Sequence, residues 1–466
     1  MDVTDAVDLR GPGSLLERLA ALAAAVSLED LGREVVDDAE LVLFHNLVVA
    51  LAARRTDVPG LDRTPWPRGM PPARSARRLP DLVRSPLDAA VLNGSLLMGA
   101  RAQHDEYPPA TSHFGSTVIP PLLALSDAVT VSGKRFLEAM VAGYEAGARV
   151  GAATVGPTRA RGFRPTGIYG PIASATACAV ALGLPSPRIV SSMALGAHQA
   201  AGLMQVWLEG TDEWRFHTAF AARNGLTAAL LAADGVRGAA SSLEGPAGYL
   251  RAYADDAGIA VDTDRPDGAW AISDVLLKAY PVCALNQAAM QQLLDLCRRE
   301  GLGARDIAQV RVTLEQQDVD YPGVGAAGAP RTASAALMSL PYCAARAVVD
   351  GELSLPAGWD LDAPEPLRFM ERVVLEPHRD PAPSRRGRHG ASVEVVLTDG
   401  RRLGGTDPQL LRYDRSTAQG LATSLLPAVG IGRDRIEAIA ELVFGLERCP
   451  DVSELTGLLT SGTEGP

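Results

Sequence analysis

From about residue 86 to residue 255 the chain is a nearly unbroken succession of helix-forming stretches rich in alanine and glycine. "PPLLALSDAV", "GKRFLEAMVAGYEAGARVGAA", "ASATACAVALGL", "RIVSSMALGAHQAAGLMQVWLEG" and "FHTAFAARNGLTAALLAADG" follow one another with short Gly/Pro breaks. Small side chains at helical spacing let helix backbones approach closely, so a compact all-helical bundle is expected here. Residues 14–55 add two helices, "SLLERLAALAAAVS" and "DDAELVLFHNLVVALAARR", whose apolar positions recur at i, i+3, i+4 and i+7. Residues 56–84 are rich in Pro and Arg and read as a surface connection, for which a solvated loop is the simpler account than an anion site.

The pattern changes after about residue 270. Residues 306–314, 369–377 and 391–403 read as strands, the last as a hairpin turning at Asp399-Gly400. Helical stretches "NQAAMQQLLDLCRRE" and "SAALMSLPYCAARAVVDG" lie among them, which marks a smaller α+β module. The chain then returns to helix, and its tail "LTSGTEGP" is expected to be disordered. A length of 466 residues exceeds what one core usually organises. The expected fold is therefore mainly α: a large helical domain from both chain ends, residues 1–270 and 406–466, with a smaller α+β lid inserted at 271–405.

A net charge of −11 argues against a general nucleic-acid or anionic-membrane binder, which needs a basic face. The cysteines, Cys178, Cys283, Cys297, Cys343 and Cys449, are scattered without a CxxC pair or a Cys/His cluster. Neither a disulfide framework nor a metal site is indicated. The first residues lack a basic segment followed by an apolar core, and the apolar runs are too short or interrupted to span a bilayer. A soluble cytoplasmic protein is the default expectation.

Two stretches carry candidate chemistry. In "QHDEYPPATSHFGSTVIPPLLALS", residues 103–126, two histidines and two carboxylates crowd a Pro-rich loop before a helix. Imidazole titrates near neutrality, so His113 is a natural general acid or base, although a loop histidine is more often solvated or capping. In "RGFRPTGIYGP", residues 161–171, Arg164 sits in a turn leading into an apolar helix, with Thr166 two places on. His217 reads as an N-terminal helix residue beside Arg215 and Trp214, and His198 as a helix-packing histidine. Lys278 stands out because lysine is rare here, and it precedes Tyr280 and Cys283 at a helix entry that favours a carboxylate.

In order, these stretches resemble the MmgE/PrpD family, which includes 2-methylcitrate dehydratase, cis-aconitate decarboxylase and iminodisuccinate epimerase. "AVLNGSLLMGARAQHDEYPPATSHFGSTVIPPLLAL", "RGFRPTGIYGPIASATACAVALGL", "WRFHTAFAARNGLTAALLAADGVRG", "LKAYPVCALNQAAM" and "ASAALMSLPYCAARAVVDG" are similar to its signature regions, over most of the chain. The resemblance implies the same two-domain architecture, a cleft active site between the domains, a homodimer, and no metal or organic cofactor. By resemblance His113 is the family's loop histidine, Asp105 an acidic residue eight places before it, and Lys278 the basic residue opening the lid. Arg164 replaces a second histidine of the usual Gly-Phe-His-Pro-Thr-Gly turn, and Cys283 a histidine of decarboxylase-type members. Trp214 takes the place of a common lysine, and Met98 that of a frequent histidine.

Arginine does not trade protons near neutrality, but its planar fork binds carboxylate in a bidentate way. The expected chemistry is thus a hydro-lyase acting on a small hydroxy-carboxylate, with a tailoring step on a larger carboxylated intermediate of specialised metabolism as the favoured variant. His113 would be the acid/base, with Tyr280, Cys283, Asp105 and His104 as candidate partners. Arg164, Thr166, Lys278, Arg215, His104 and Tyr321 would bind substrate. Decarboxylation or epimerisation is the alternative, and an inactive carboxylate-binding homologue the alternative of another class.

Overall fold

The computed structural model describes residues 13–55, 91, 94–96, 98–264, 269–378, 389–405, 409 and 411–460. The connection expected at 56–84 and most of the tail expected to be disordered lie outside the described residues. The chain is mainly helical, with one four-stranded sheet.

One hydrophobic core gathers residues from both chain ends. It joins Leu16, Phe44 and Phe114 with Phe136, Tyr169, Ile172 and Leu226, and takes in Ile439, Val443 and Leu455 from the C-terminal helices. At its centre the Pro165–Ala181 helix is buried along almost its whole length, packed on Gly133–Ala160 and Trp214–Ala233. The small residues make that contact possible: a Cβ on Gly225 would fall 2.2 Å from the Ser174 Cβ. The helices therefore interlock at backbone distance, as the Ala/Gly-rich sequence predicts.

A second core is built on the sheet, whose strand order is β2-β1-β3-β4 with β1 Ile307–Leu314, β2 Val373–Pro377, β3 Ser392–Leu397 and β4 Arg402–Gly404. β1 runs parallel to β2 and antiparallel to β3. Val310, Val312 and Leu314 alternate inward along β1, the period-two burial of a one-sided sheet. Helices Gln287–Glu300 and Leu340–Asp350 pack against it. The β3–β4 turn contains Asp399 and Gly400, the latter at φ 89°.

Three local expectations change. The strand expected over 369–377 starts at Val373, because Phe369 and Met370 close a helix, Pro364–Met370. The helical stretch around "SLPY" is two helices, Ala333–Met338 and Leu340–Asp350. Ser339, kept extended ahead of Leu340-Pro341, caps the second by accepting from the Tyr342 N–H at 3.2 Å. His198 does not pack inside a helix; it is the exposed C-cap of Ser186–Ala197.

Candidate active site

The loop at 101–114 is folded by its own backbone. Ala102 and Thr111 adopt left-handed conformations, φ 57° and 49°. Tyr107 N–H donates to the Ser112 carbonyl at 2.7 Å around a 3-10 turn at Pro108–Ala110. Glu106 pairs with Leu276 through two backbone hydrogen bonds of 2.9 and 2.8 Å. That pairing draws the segment carrying Lys278 against the loop carrying His104 and His113.

Neighbouring side chains on extended backbone point to opposite sides, and Asp105 and Glu106 diverge accordingly. Asp105 turns inward, accepting from the Gly115 N–H at 3.0 and 3.1 Å and from the Tyr144 hydroxyl at 2.8 Å. Burial pushes its carboxyl up to about 6. Glycine is required at 115, where a Cβ would lie 2.4 Å from Asp105 Oδ1 and 2.6 Å from Asn46 Nδ2.

Glu106 turns the other way and places Oε2 2.7 Å from His113 Nδ1, which also lies 2.8 Å from the Asp105 carbonyl. These two oxygens fix the proton of a neutral ring on Nδ1 and leave the lone pair on Nε2, which has no partner among the described residues. The His113 backbone N–H donates to Thr166 Oγ1 at 3.1 Å. His104 meets the His113 ring edge-on, with centroids 4.1 Å apart, and stacks on Trp214 at 6.1 Å. Both ring nitrogens of His104 are buried without a hydrogen-bond partner among the described residues.

Burial lowers the pKa of both imidazoles, and the Lys278 charge adds to it; for His113 the Glu106 carboxylate opposes the shift. Lys278 is itself lowered by burial, and its Nζ donates to the Ala102 carbonyl at 3.2 Å. The Cys283 thiol is pushed up to about 12 by burial, and Tyr321 is raised for the same reason. Burial works against ionisation of Glu106, but His113, His389 and Lys278 outweigh it and hold the carboxyl well below its usual range.

His104, Glu106, His113, Lys278, Cys283 and Tyr321 line one narrow cavity of about 30 Å³. Trp207, Trp214, Val282, Leu285, Leu337 and Met338 form its apolar wall. Its lining, though not its narrow volume, is that of a small-molecule site, apolar with a few converging polar groups. The other sequence candidates do not line it. Asp105 and Thr166 brace the loop and His113 from behind. Arg164, the N-cap of Pro165–Ala181, adjoins the cavity through its tryptophans: Nη1 donates to the Trp214 carbonyl at 3.0 Å, and the guanidinium sits 5.5 Å from the Trp207 ring centroid. Its Nη2 is buried and without a partner among the described residues, and burial lowers its pKa to about 10.

Arg215 is committed elsewhere, to Asp212 at 2.7 Å and to the face of Trp214. Tyr280 uses its backbone to clamp the Gln287 side chain, at 3.1 and 2.9 Å. Met98, in the place of a frequent family histidine, is buried in the first core. Two residues of the site were not singled out from sequence. Glu106 has the extended alternation next to Asp105 as its only signal, and His389 sits in a Pro/Arg-rich stretch with no periodicity. Among the described residues, no group of three or more His, Cys, Asp or Glu could hold a metal ion, and no helix is long and apolar enough to cross a membrane.

Comparison with known proteins bears on the same regions. Over 409 residues the chain is 28% identical to the cis-aconitate decarboxylase-like protein oryM of Aspergillus oryzae, covering 80% of this chain and 82% of that one. It is 23% identical to a cis-aconitate decarboxylase of Aspergillus terreus across 98% of both chains. The human cis-aconitate decarboxylase is 25% identical, over 82% of this chain and 80% of its own. Family models for the MmgE/PrpD N-terminal and C-terminal domains match residues 17–262 and 280–407. The chain belongs to the MmgE/PrpD family.

Proposed function

We propose that this chain is a lyase acting, without a cofactor, on a small hydroxy-carboxylate, from which it removes water. The observation that carries this reading is the His113 ring, anchored through Nδ1 by Glu106 and the Asp105 carbonyl and free at Nε2, in the same cavity as the buried Lys278. A neutral imidazole with its lone pair exposed is a base for the proton α to a carboxylate. Nε2 takes that proton, and the negative charge that develops passes onto the carboxylate, where Lys278 stabilises it. The bond from carbon to the β-hydroxyl oxygen then breaks. The proton returns from the imidazolium to the departing oxygen, which leaves as water and restores the neutral ring. One imidazole thus serves both proton transfers, which suits a site whose second family histidine is Arg164.

Arg164 supports an anionic substrate in a separate way. A cation buried at a helix N-terminus is opposed by the helix dipole and by desolvation, and Nη2 lacks a partner. A second substrate carboxylate beside Trp207 and Trp214 answers both costs.

Decarboxylation is the second reading. It is favoured by the similarity to cis-aconitate decarboxylases and by the tryptophan-rich wall, since loss of carbon dioxide benefits from a dry, apolar surround. The test incubates the full-length protein with citrate-type hydroxy-tricarboxylates and with cis-aconitate in deuterated water. Alkene formation, carbon dioxide and deuterium uptake are followed by mass spectrometry. Dehydration predicts alkene from the hydroxy acid, and at least ~100-fold slower turnover in His113→Gln. Carbon dioxide released together with the decarboxylated acid, and no water lost from the hydroxy acid, would establish the second reading instead. Deuterium uptake without alkene would refute both and indicate epimerisation.

A further inference from the structure

Two buried polar atoms face each other beside the cavity. Glu106 Oε1 and His389 Nε2 each lack a hydrogen-bond partner among the described residues, and they lie 3.8 Å apart. The other nitrogen of His389, Nδ1, lies 3.0 Å from Asp318 Oδ2. The other oxygen of Glu106 holds His113. We propose that Asp318 and His389 are positioning residues for His113, acting through Glu106 as a buried chain of alternating charge. This rests on His113 being the proton-transfer residue.

The chain joins two separate parts of the fold. His113 and Glu106 belong to the loop that precedes helix Gly115–Ala128 of the first core. Asp318 lies in the short helix Gln316–Val319 after β1, and His389 lies just before β3. His389, Asp318 and Glu106 are all almost fully buried. His389 is also held at φ 49°, a conformation that costs a non-glycine residue energy and persists where the surroundings impose it.

The neighbouring charges decide what this arrangement does. Asp318 and Glu106 face His389; His113, His389 and Lys278 face Glu106; Glu106, His104, Lys278 and Arg164 face His113. A carboxylate on each side favours the cationic form of His389. That cation takes up part of the Glu106 charge, so Glu106 can orient His113 through Nδ1 without forcing it to the imidazolium. The base then stays neutral and its Nε2 lone pair stays free. Because the chain starts in segments flanking the sheet and ends in the loop, His113 has this state only while the two parts are apposed.

The experiment labels all histidines of the full-length protein with ¹⁵N and records long-range ¹H–¹⁵N correlations from pH 5 to 10, with assignment by single His→Gln variants. In the wild type, His389 is expected to be protonated on both nitrogens at pH 7, and His113 to be the neutral Nδ1–H tautomer. In Asp318→Asn, His389 loses its proton by pH 7, and the His113 midpoint rises by about one pH unit, the smaller end of what a nearby charge imposes. A neutral His389 in the wild type at pH 7 overturns the proposal. So does an unchanged His113 midpoint and tautomer in a folded Asp318→Asn protein. If that variant does not fold, the wild-type His389 signal decides alone. No turnover is measured, so the result is independent of whether His113→Gln abolishes the lyase reaction.

Discussion

Replacing His389 by glutamine should change how stability depends on pH, by an amount the structure sets. Asp318 and Glu106 raise the His389 pKa from 6.5 to about 9 against the opposing effect of burial. A base with a raised folded-state pKa contributes stability that is fully present below its unfolded value, here 6.5, and is lost as the pH rises through about 9. At 1.36 kcal/mol per pH unit the rise corresponds to about 3 kcal/mol. Denaturant unfolding of wild type and His389→Gln at constant ionic strength, from pH 6 to 10, measures it. The stability difference should be largest near pH 6 and shrink by about 3 kcal/mol by pH 10. Buried groups that titrate lower, such as Asp105 at about 6 and His45 at about 4, are common to both proteins and cancel in the difference. A difference that stays constant within about 1 kcal/mol over the window would refute the ion-pair argument.

Gly115→Ala should destabilise the protein by about 3 kcal/mol or more, because the new Cβ strikes a hydrogen-bonded buried carboxylate; urea unfolding checks this. Arg164→Lys should raise KM by about tenfold or more with kcat little changed, since a lysine cannot hold the Trp214 carbonyl and a substrate carboxylate as one planar fork. An unchanged KM would remove Arg164 from substrate binding. Because burial lowers the His113 pKa from 6.5, the neutral base persists into mildly acidic solution, and the acid limb of the kcat/KM profile should fall below pH 6.5.

The helical bundle was legible because its signal is local and repeated. Apolar spacing and small residues over residues 86–255 dictate helices that must pack closely, and Gly225 against Ser174 shows that packing. The candidate site was legible in part. His104, His113, Lys278, Cys283 and Tyr321 stand at one cavity, each having been marked by rarity, by loop context or by family resemblance. Asp105 was marked by the same resemblance, yet Tyr144 and Gly115 occupy its carboxylate. Tyr280 and Arg215 were marked by proximity in sequence, but neither lines the cavity: Gln287 binds the Tyr280 backbone and Asp212 pairs with Arg215.

By itself the sequence determined the elements and the chemistry available to them: close-packed helices, alternating strands, a histidine-bearing loop and an arginine at a helix start. Only the tertiary structure decided which of two adjacent carboxylates serves His113. That choice depends on the Glu106–Leu276 backbone pairing, a contact between segments far apart in the chain. It also decided that His389 and Asp318, more than two hundred residues from His113, close a buried line of charge onto the same ring. Sequence periodicity reports which face of an element is buried, but the partner a buried charge finds is fixed only when separate elements meet and exclude water.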